Sequence, residues 1–512
     1  MPASPPSLLP AGRARLVARL DRRSGARRLR RRAVPVGRDA RPDPQLPPGT
    51  DRVPAIRHVV VLMMENHSFD NYLGCLGRGD GLPAPAPTNA AADGRAVAAH
   101  HFPSTVQHVG VPSQSWRASH IQWADGRNDG FARAVEDAAA GADPALGMGH
   151  WDSSDLPYYH GLAATFPLAD RWFCSCLGPT FPNRRFLLAA TANGLIDDAV
   201  AGIIDYPSTG TIFDLLNRYG ITWANYHHVP TYRMWRKQAG ARAGRFVRLA
   251  LGGVIPWVDH RVRGDIRCTA NLYPLGLART LAHLRHVDRF FSDAASGSLP
   301  AVSVVDPDFA SSSEENPQDI RIGESFAADV IEAVMSGPGW PETLLVWLYD
   351  EHGGYFDHVP PPSAVTPDDV DPHSLARGRG ARAWLGRHLG LWPNLRHDDD
   401  SPGRYDRLGF RVPAVVVSPY ARPGFVSSQV HDHTSVLKLI EEKWNLPSLT
   451  RRDAAAVAPW EMIDLAGPPA FLDPPDLPAP ARPHAWRQAG EPRTGAGGGK
   501  VTEKHTGARG AG

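Results

Sequence analysis

The chain has 512 residues, 42% of them hydrophobic, and 55 Lys and Arg against 53 Asp and Glu, for a net charge of +2. That near-balance excludes a protein whose main work is coating nucleic acid, and the apolar share is enough for a sizeable core. No apolar run approaches the roughly 18 residues that span a bilayer, and four cysteines in a chain this long make no disulfide scaffold.

The elements follow in chain order. Residues 1–51 read as a disordered basic arm: the first 50 hold twelve Arg, no Lys and three Asp. Arg27-Arg28-Leu29-Arg30-Arg31-Arg32 invites a twin-arginine export reading, which stays open only if the true start lies elsewhere. The residues that follow, Ala33-Val34-Pro35-Val36-Gly37-Arg38, are not the apolar stretch an export signal needs, so the expected location is cytoplasmic. Residues 52–466 are the expected folded body. Within it Ile56–Met64 (IRHVVVLMM), Ala301–Val305 (AVSVV), Leu344–Tyr349 (LLVWLY) and Val412–Val417 (VPAVVV) are continuous apolar runs. Such runs suit strands buried on both faces. Helical stretches at Thr211–Arg218, Ile322–Met335 and Thr434–Trp444 alternate with them. The order predicts an α/β fold with a doubly wound, mostly parallel sheet sandwiched by helices, whose ligands sit beyond the carboxyl ends of the strands. Residues 361–405 form an insertion and a candidate lid. In it Leu375–Trp392 places Trp384, Leu385, Leu389 and Trp392 near one helical face with Arg377, Arg379, Arg382 and Arg387 between them, a pattern for peripheral membrane contact or for a solvated surface. Tyr232–Arg263 is a second basic stretch. Residues 467–512, rich in Pro and then Gly, read as a disordered tail.

Polar clusters close the apolar runs: Glu65-Asn66 after the first, Asp306-Pro307-Asp308 after the second, Asp350-Glu351-His352-Gly353-Gly354 after the third and Ser418-Pro419 after the fourth. Glu65, Asn66, Asp350 and Glu351 offer only oxygen ligands, the preference of hard divalent cations. The alternative for each pair is a helix cap or a surface partner of Arg. Gly178-Pro179-Thr180-Phe181-Pro182-Asn183-Arg184 opens a helix expected to run to about Asn193, with Thr180 just before its N-terminus and Arg184 one turn inside. The helix dipole favours an anion there, so Thr180 is either an N-cap or a nucleophile beside a phosphoryl group. Cys174 and Cys176, just before this loop, read as small buried thiols rather than metal ligands.

Glu65-Asn66-His67-Ser68-Phe69-Asp70, Gly178–Arg184, Asp350–His358 (DEHGGYFDH) and Asp432-His433-Thr434-Ser435 occur in an order that resembles the bacterial phospholipase C and acid phosphatase phosphoesterase family, distant kin of alkaline phosphatases. The resemblance runs from about Ile56 to Leu465. It implies an alkaline-phosphatase-like sandwich, one divalent metal ion (Mg, Ca, Mn or Zn), and a covalent phospho-enzyme. Carried over by position, Glu65, Asn66, Thr180, Asp350 and Glu351 hold the metal, Thr180 is also the nucleophile, and His352 and His433 are the candidates for leaving-group protonation. His120, His150, His227, His228 and His358 are further histidines that fit that task less directly. Asn183, Arg184 and Asp306 are expected to bind substrate. Thr-x-Pro-x-Arg also matches the spacing of the sulfatase nucleophile motif, but threonine cannot be converted to formylglycine, which favours a phosphate ester. The implied substrate is a phospholipid or a small phosphate ester, with no nucleic acid and no obligate protein partner. A monoesterase of the acid phosphatase type, a sulfate-ester or phosphonate hydrolase, and a catalytically weak phosphate- or phospholipid-binding relative are the alternatives. The last is motivated by Glu315-Asn316-Pro317, where the family often has Glu-His-Pro; His67 stands where Arg is common.

Overall fold

Residues 41–198, 206–228, 268–273, 280–372 and 402–489 are described by the structure, a computed structural model. An eight-stranded sheet forms its centre: β1 (His58–Met64), β2 (Leu168–Ala169), β3 (Trp223–His227), β4 (Leu284–His286), β5 (Val302–Val305), β6 (Thr343–Tyr349), β7 (Ala414–Val417) and β8 (Val426–Ser427). Their order across the sheet is β8-β2-β7-β6-β1-β5-β3-β4. All residues of β1, β5, β6 and β7 are buried, which is why these strands read as unbroken apolar runs instead of alternating. Helices supply the cover: α1 (Phe69–Leu73), α2 (Pro157–Thr165), α3 (Thr180–Ala189), α4 (Val287–Ala295), α5 (Ile320–Met335), α6 (His433–Lys443) and α7 (Ala485–Ala489). Helices α3 and α6 pack on each other, and α5 packs against α2, α4 and α7.

Strand register places the site. β1 pairs in parallel with β6 and β5, Met64 opposite Tyr349 and Leu62 opposite Val305. The chain therefore leaves three neighbouring strands at Glu65, Asp350 and Asp306 along one edge of the sheet. β7 departs from this direction. It runs antiparallel to β6 and β2, so Ser418-Pro419 emerges at the far edge, where Ser418 Oγ donates to the carbonyl of Thr343 at 2.9 Å. Of the four polar clusters expected at one edge, that one is elsewhere, and the amino end of β7, next to Arg411, takes its place.

Packing extends beyond the expected body at both ends. Asn445 donates to the carbonyls of Asp43 and Leu46 at 2.9 Å each, and Lys443 meets Asp51 at 2.6 Å. At the other end the indole of Trp340 donates to the Phe471 carbonyl and the backbone of Ala481 donates to Glu324. Trp486 of α7, 7% exposed, lies against Phe291 and Phe326. A Pro-rich composition concealed this because scattered anchors, Phe471 on Phe166 and Trp486 on Phe291 and Phe326, fasten the segment and not a periodic apolar face. Residues 1–40 and 490–512, the stretch 375–392 and all of 232–263 lie outside the described residues, as does most of the insertion.

Replacing Trp486 with Ala removes a buried aromatic side chain and is expected to cost about 3 kcal/mol. Urea unfolding of the full chain checks this, and an unchanged midpoint would show that the segment contributes no stability.

Candidate active site

Two loops and one helix terminus build the site. Asn66, directly after β1, adopts a left-handed backbone conformation (φ 70°) that is uncommon outside glycine. Its N–H donates to Asp350 Oδ1 at 3.2 Å, and the same oxygen takes the N–H of Glu351 at 2.7 Å. Glu351 Oε2 in turn accepts from the N–H of Gly353 at 2.7 Å. Gly353 has φ +66°, and a Cβ there would stand 1.8 Å from the Asn66 carbonyl, so only glycine lets the loops after β1 and β6 close on each other. Ser68 then caps α1.

The third element differs from its expected form in two details. Helix α3 begins at Thr180 itself, with Pro179 in the cap position, and it stops at Ala189 because Ala190 turns left-handed (φ 55°). The Thr180 hydroxyl makes no capping bond; it points at Asn66 Oδ1, 3.5 Å away. Nor is the N–H of Phe181, in the first turn, left for an anion, since it donates to Asp198 at 2.8 Å. Asp198 has no motif around it, and nothing in the sequence marked it.

Glu65, Asn66, Thr180, Asp350 and Glu351, the five expected metal ligands, lie on three neighbouring segments joined by the Asn66–Asp350, Glu351–Asp350 and Thr180–Asn66 contacts, none more than 5% exposed. Among the described residues the carboxylates of Glu65, Asp350 and Glu351 are not drawn within 4.8 Å of one another as a ligand group. Burial, then the charges of Glu315 and Asp350, pushes the Glu65 carboxyl well above its ordinary range; burial and Asp350 do the same to Glu351. Glu65 Oε2 and Glu351 Oε1 are buried without a hydrogen-bond partner among the described residues. Unsatisfied carboxylate oxygens facing a set of hard oxygen donors fit a divalent cation of the Mg, Ca or Mn type.

The expected proton carriers are present and buried. His433 sits at the first position of α6, fixed by a capping box between Asp432 and Ser435, and its Nε2 donates to the Asp350 carbonyl at 2.6 Å. His352 Nε2 lies 2.7 Å from Gln122 Oε1, with Nδ1 3.5 Å from Glu351 Oε2. Burial lowers the pKa of both rings, that of His352 to about 3, and keeps them neutral. The residues expected to bind substrate are buried and hydrogen-bonded within the protein. Asn183 is fully buried and its side chain bonds the backbone of Cys176, Gly178 and Pro179, which shapes the loop before Thr180. Arg184 and Asp306 are also fully buried, joined to each other and, through Arg184, to Asp350. Asn316 ties the carbonyls of His108 and Val111 and the hydroxyl of Tyr355.

Two clusters brace this arrangement. Arg411 donates to Asp357 at 2.8 Å and Asp70 at 3.0 Å, while His358 Nδ1 lies 2.6 Å from Asp70, so the first and third motifs are bound by a buried ion-pair network. Asp70, Asp357 and His358 form a cluster with metal-ligand spacing, but the guanidinium already supplies their counter-charge. Behind Asn66, Glu314 (φ 77°) takes the hydroxyls of Tyr72, Tyr159 and Tyr349 at 2.6–2.8 Å. Its carbonyl lies 3.1 Å from His67 Nε2, and His67 stacks on Tyr72. Sequence reading passed over Glu314 because its partners lie far away in the chain.

With the geometry in hand, comparison places the chain. Residues 56–447 match the Phosphoesterase family, and the chain belongs to it. It is 31% identical over 454 residues to Phospholipase C B of Mycobacterium tuberculosis, covering 81% of this chain and 78% of that one. Identity to the Non-hemolytic phospholipase C of Pseudomonas aeruginosa is 29%, covering 84% and 59%. Identity to the Non-specific phospholipase C6 of Arabidopsis thaliana is 28%, covering 78% and 71%. A solved structure from Vibrio parahaemolyticus, described as a protein in the alkaline phosphatase superfamily, aligns over 89% of this chain and 81% of its own at 9% identity and a TM-score of 0.37. The protein is a hydrolase of phosphoric esters.

Burial raises the Glu314 carboxyl to about 8, with the three tyrosine hydroxyls acting against that rise. A carboxyl whose pKa is higher folded than unfolded holds its proton longer in the native state, so its stabilising effect is full below about pH 4 and is lost as pH rises through 8. Glu314→Gln is therefore expected to flatten the fall in stability between pH 5 and 8. Urea midpoints at both pH values check this; equal slopes in the two proteins would refute it.

Proposed function

We propose that this phosphoesterase is a metal-dependent hydrolase of the phospholipase C type, with Thr180 as nucleophile and a covalent phosphothreonine intermediate. One observation carries the reading: Thr180 Oγ1 lies beside Asn66 Oδ1 in a buried set of oxygen donors that includes two carboxylate oxygens without partners. Glu65, Asn66, Thr180, Asp350 and Glu351 would hold one divalent ion. When bound, such an ion lowers the pKa of a coordinated hydroxyl and withdraws charge from a phosphoryl oxygen.

The chain's own residues account for the rest. Thr180 Oγ attacks phosphorus, the P–O bond to the alcohol breaks, and the alcohol leaves with the proton that Thr180 gives up. His352 and His433 are the candidates to carry that proton, because burial keeps both in the neutral, accepting form. Water then attacks phosphorus, the Thr180–P bond breaks and Thr180 regains its proton. Burial of Thr180 limits access of stray water to the intermediate. The names of the relatives favour a phospholipid diester, whose alcohol would leave as diacylglycerol while the phosphoryl headgroup passes to Thr180 and then to water, over a small monoester.

EDTA is expected to abolish diacylglycerol release from phosphatidylcholine, and Thr180→Ala to lower kcat by several orders of magnitude with the fold retained. The first step of the test is a phosphatidylcholine digest; parallel rates on p-nitrophenylphosphorylcholine and p-nitrophenyl phosphate separate diesterase from monoesterase. A folded Thr180→Ala protein with near wild-type turnover would remove Thr180 from the mechanism. Full activity in a metal-stripped sample would remove the ion.

A further inference from the structure

The position of Arg184 in the nucleophile motif, one turn inside α3, suggests a phosphate-binding group, yet its side chain is already fully used. A guanidinium has five N–H donors. Here Nε donates to Asp350 Oδ2 at 2.8 Å, Nη1 to Thr269 Oγ1 at 3.2 Å and Asp306 Oδ1 at 3.4 Å, and Nη2 to the carbonyls of Met63 at 3.2 Å and Met64 at 3.0 Å. Five donors meet five acceptors. The Phe309 ring covers the guanidinium at 5.0 Å, and the residue is 0% exposed.

Asp306 is saturated in the same way. Oδ1 accepts from Thr269 Oγ1 at 2.5 Å besides Arg184, and Oδ2 accepts from Asn225 Nδ2 and the Thr269 N–H at 2.7 Å each. Asn225 is itself held, its Oδ1 taking the Ala270 N–H at 2.9 Å. The result is a buried chain that runs from Asn225 and Thr269 through Asp306 and Arg184 to Asp350. Its last member belongs to the oxygen-donor set, and Arg184 Nη2 also lies 3.9 Å from Glu65 Oε1 of that set.

We propose that Arg184 is a positioning residue for Asp350 and makes no contact with substrate phosphate, and that Asp306, aimed by Asn225 and Thr269, positions Arg184. The inference rests on the reading that Asp350 is a ligand of a divalent ion. Physically, Arg184 holds one Asp350 oxygen while the N–H groups of Asn66 and Glu351 hold the other, so the carboxylate has one orientation before any ion arrives. Loss of such an outer partner weakens metal affinity because the ligand must then be ordered on binding. The two Met carbonyls tie the same guanidinium to the end of β1, so the spacing between Glu65 and Asp350 depends on it as well.

Isothermal titration of Mn²⁺ into metal-stripped full-length protein, with inhibition by inorganic phosphate measured at saturating Mn²⁺, tests the proposal. Arg184→Lys keeps the charge but not the five-donor fork. It is expected to weaken Mn²⁺ binding about tenfold to a hundredfold, to leave the phosphate inhibition constant unchanged, and to regain most of its kcat in excess Mn²⁺. Thr269→Val, which removes one hydroxyl from Asp306 and Arg184, is expected to shift Mn²⁺ binding in the same direction by less, and it serves if Arg184→Lys does not fold. Weakened phosphate inhibition with Mn²⁺ affinity intact would overturn the proposal and make Arg184 a phosphate ligand. A wild-type protein that takes up no Mn²⁺ would overturn the metal reading and this inference with it, whereas normal wild-type binding that both variants share would overturn this inference alone.

Discussion

Three carboxylates, Glu65, Asp306 and Asp350, leave adjacent parallel strands into a buried space, and Arg184 sits among them at 3.9, 3.4 and 2.8 Å. Carboxylates gathered around one cation in a buried space repel one another and need compensating charge. One guanidinium partly balances three carboxylates, and Glu351 adds a fourth beside them. Burial first, and this imbalance after it, hold Glu65 and Glu351 toward their protonated forms, and one oxygen of each is without a partner among the described residues. A bound cation would relieve it. The rest of the molecule can be understood as the framework that keeps these acids close together despite their repulsion.

That framework works at two depths. Near the acids, Asn66 in its left-handed conformation and Gly353 facing it bring the two strand-end loops into contact, which neither loop could do alone. Further back, the Arg411 network clamps α1 to the loop that follows Glu351, and Glu314 with its three tyrosines supports the turn at Asn66. Buried ion pairs of this kind contribute little net stability relative to apolar packing. Their value lies in geometry, since a misplacement of about 1 Å in a catalytic group can cost two orders of magnitude in rate.

The same logic separates side chains that are left uncommitted from side chains that hold other groups. Thr180 is buried, with its hydroxyl uncommitted to the helix. Asn183, Arg184 and Asp306 share its motif or its sheet edge, yet each spends its donors or acceptors inside the protein. Motif membership therefore marks a residue as part of the site without saying which way its side chain is turned.

Much of the site was legible in the sequence. Unbroken apolar runs suit strands covered on both faces, and an acidic pair directly after such a run then lies at a strand end. That reasoning led to Glu65, Asn66, Asp350 and Glu351, and the Thr-x-Pro-x-Arg spacing led to Thr180 at a helix start. What the sequence could not supply was direction and partnership. The reversal of β7 depends on pairing with β6, some 70 residues earlier in the chain, and apolar period alone carries no sign for parallel or antiparallel. The docking of residues 467–489 rests on Phe471 and Trp486, which pack against distant helices. The commitments of Arg184 and the tyrosine cage of Glu314 join residues more than a hundred positions apart in most of their bonds. Local periodicity and residue type determine where a side chain leaves the backbone; the partner that a buried charge finds is decided only when the whole sheet has formed, because only then are the competing donors and water excluded.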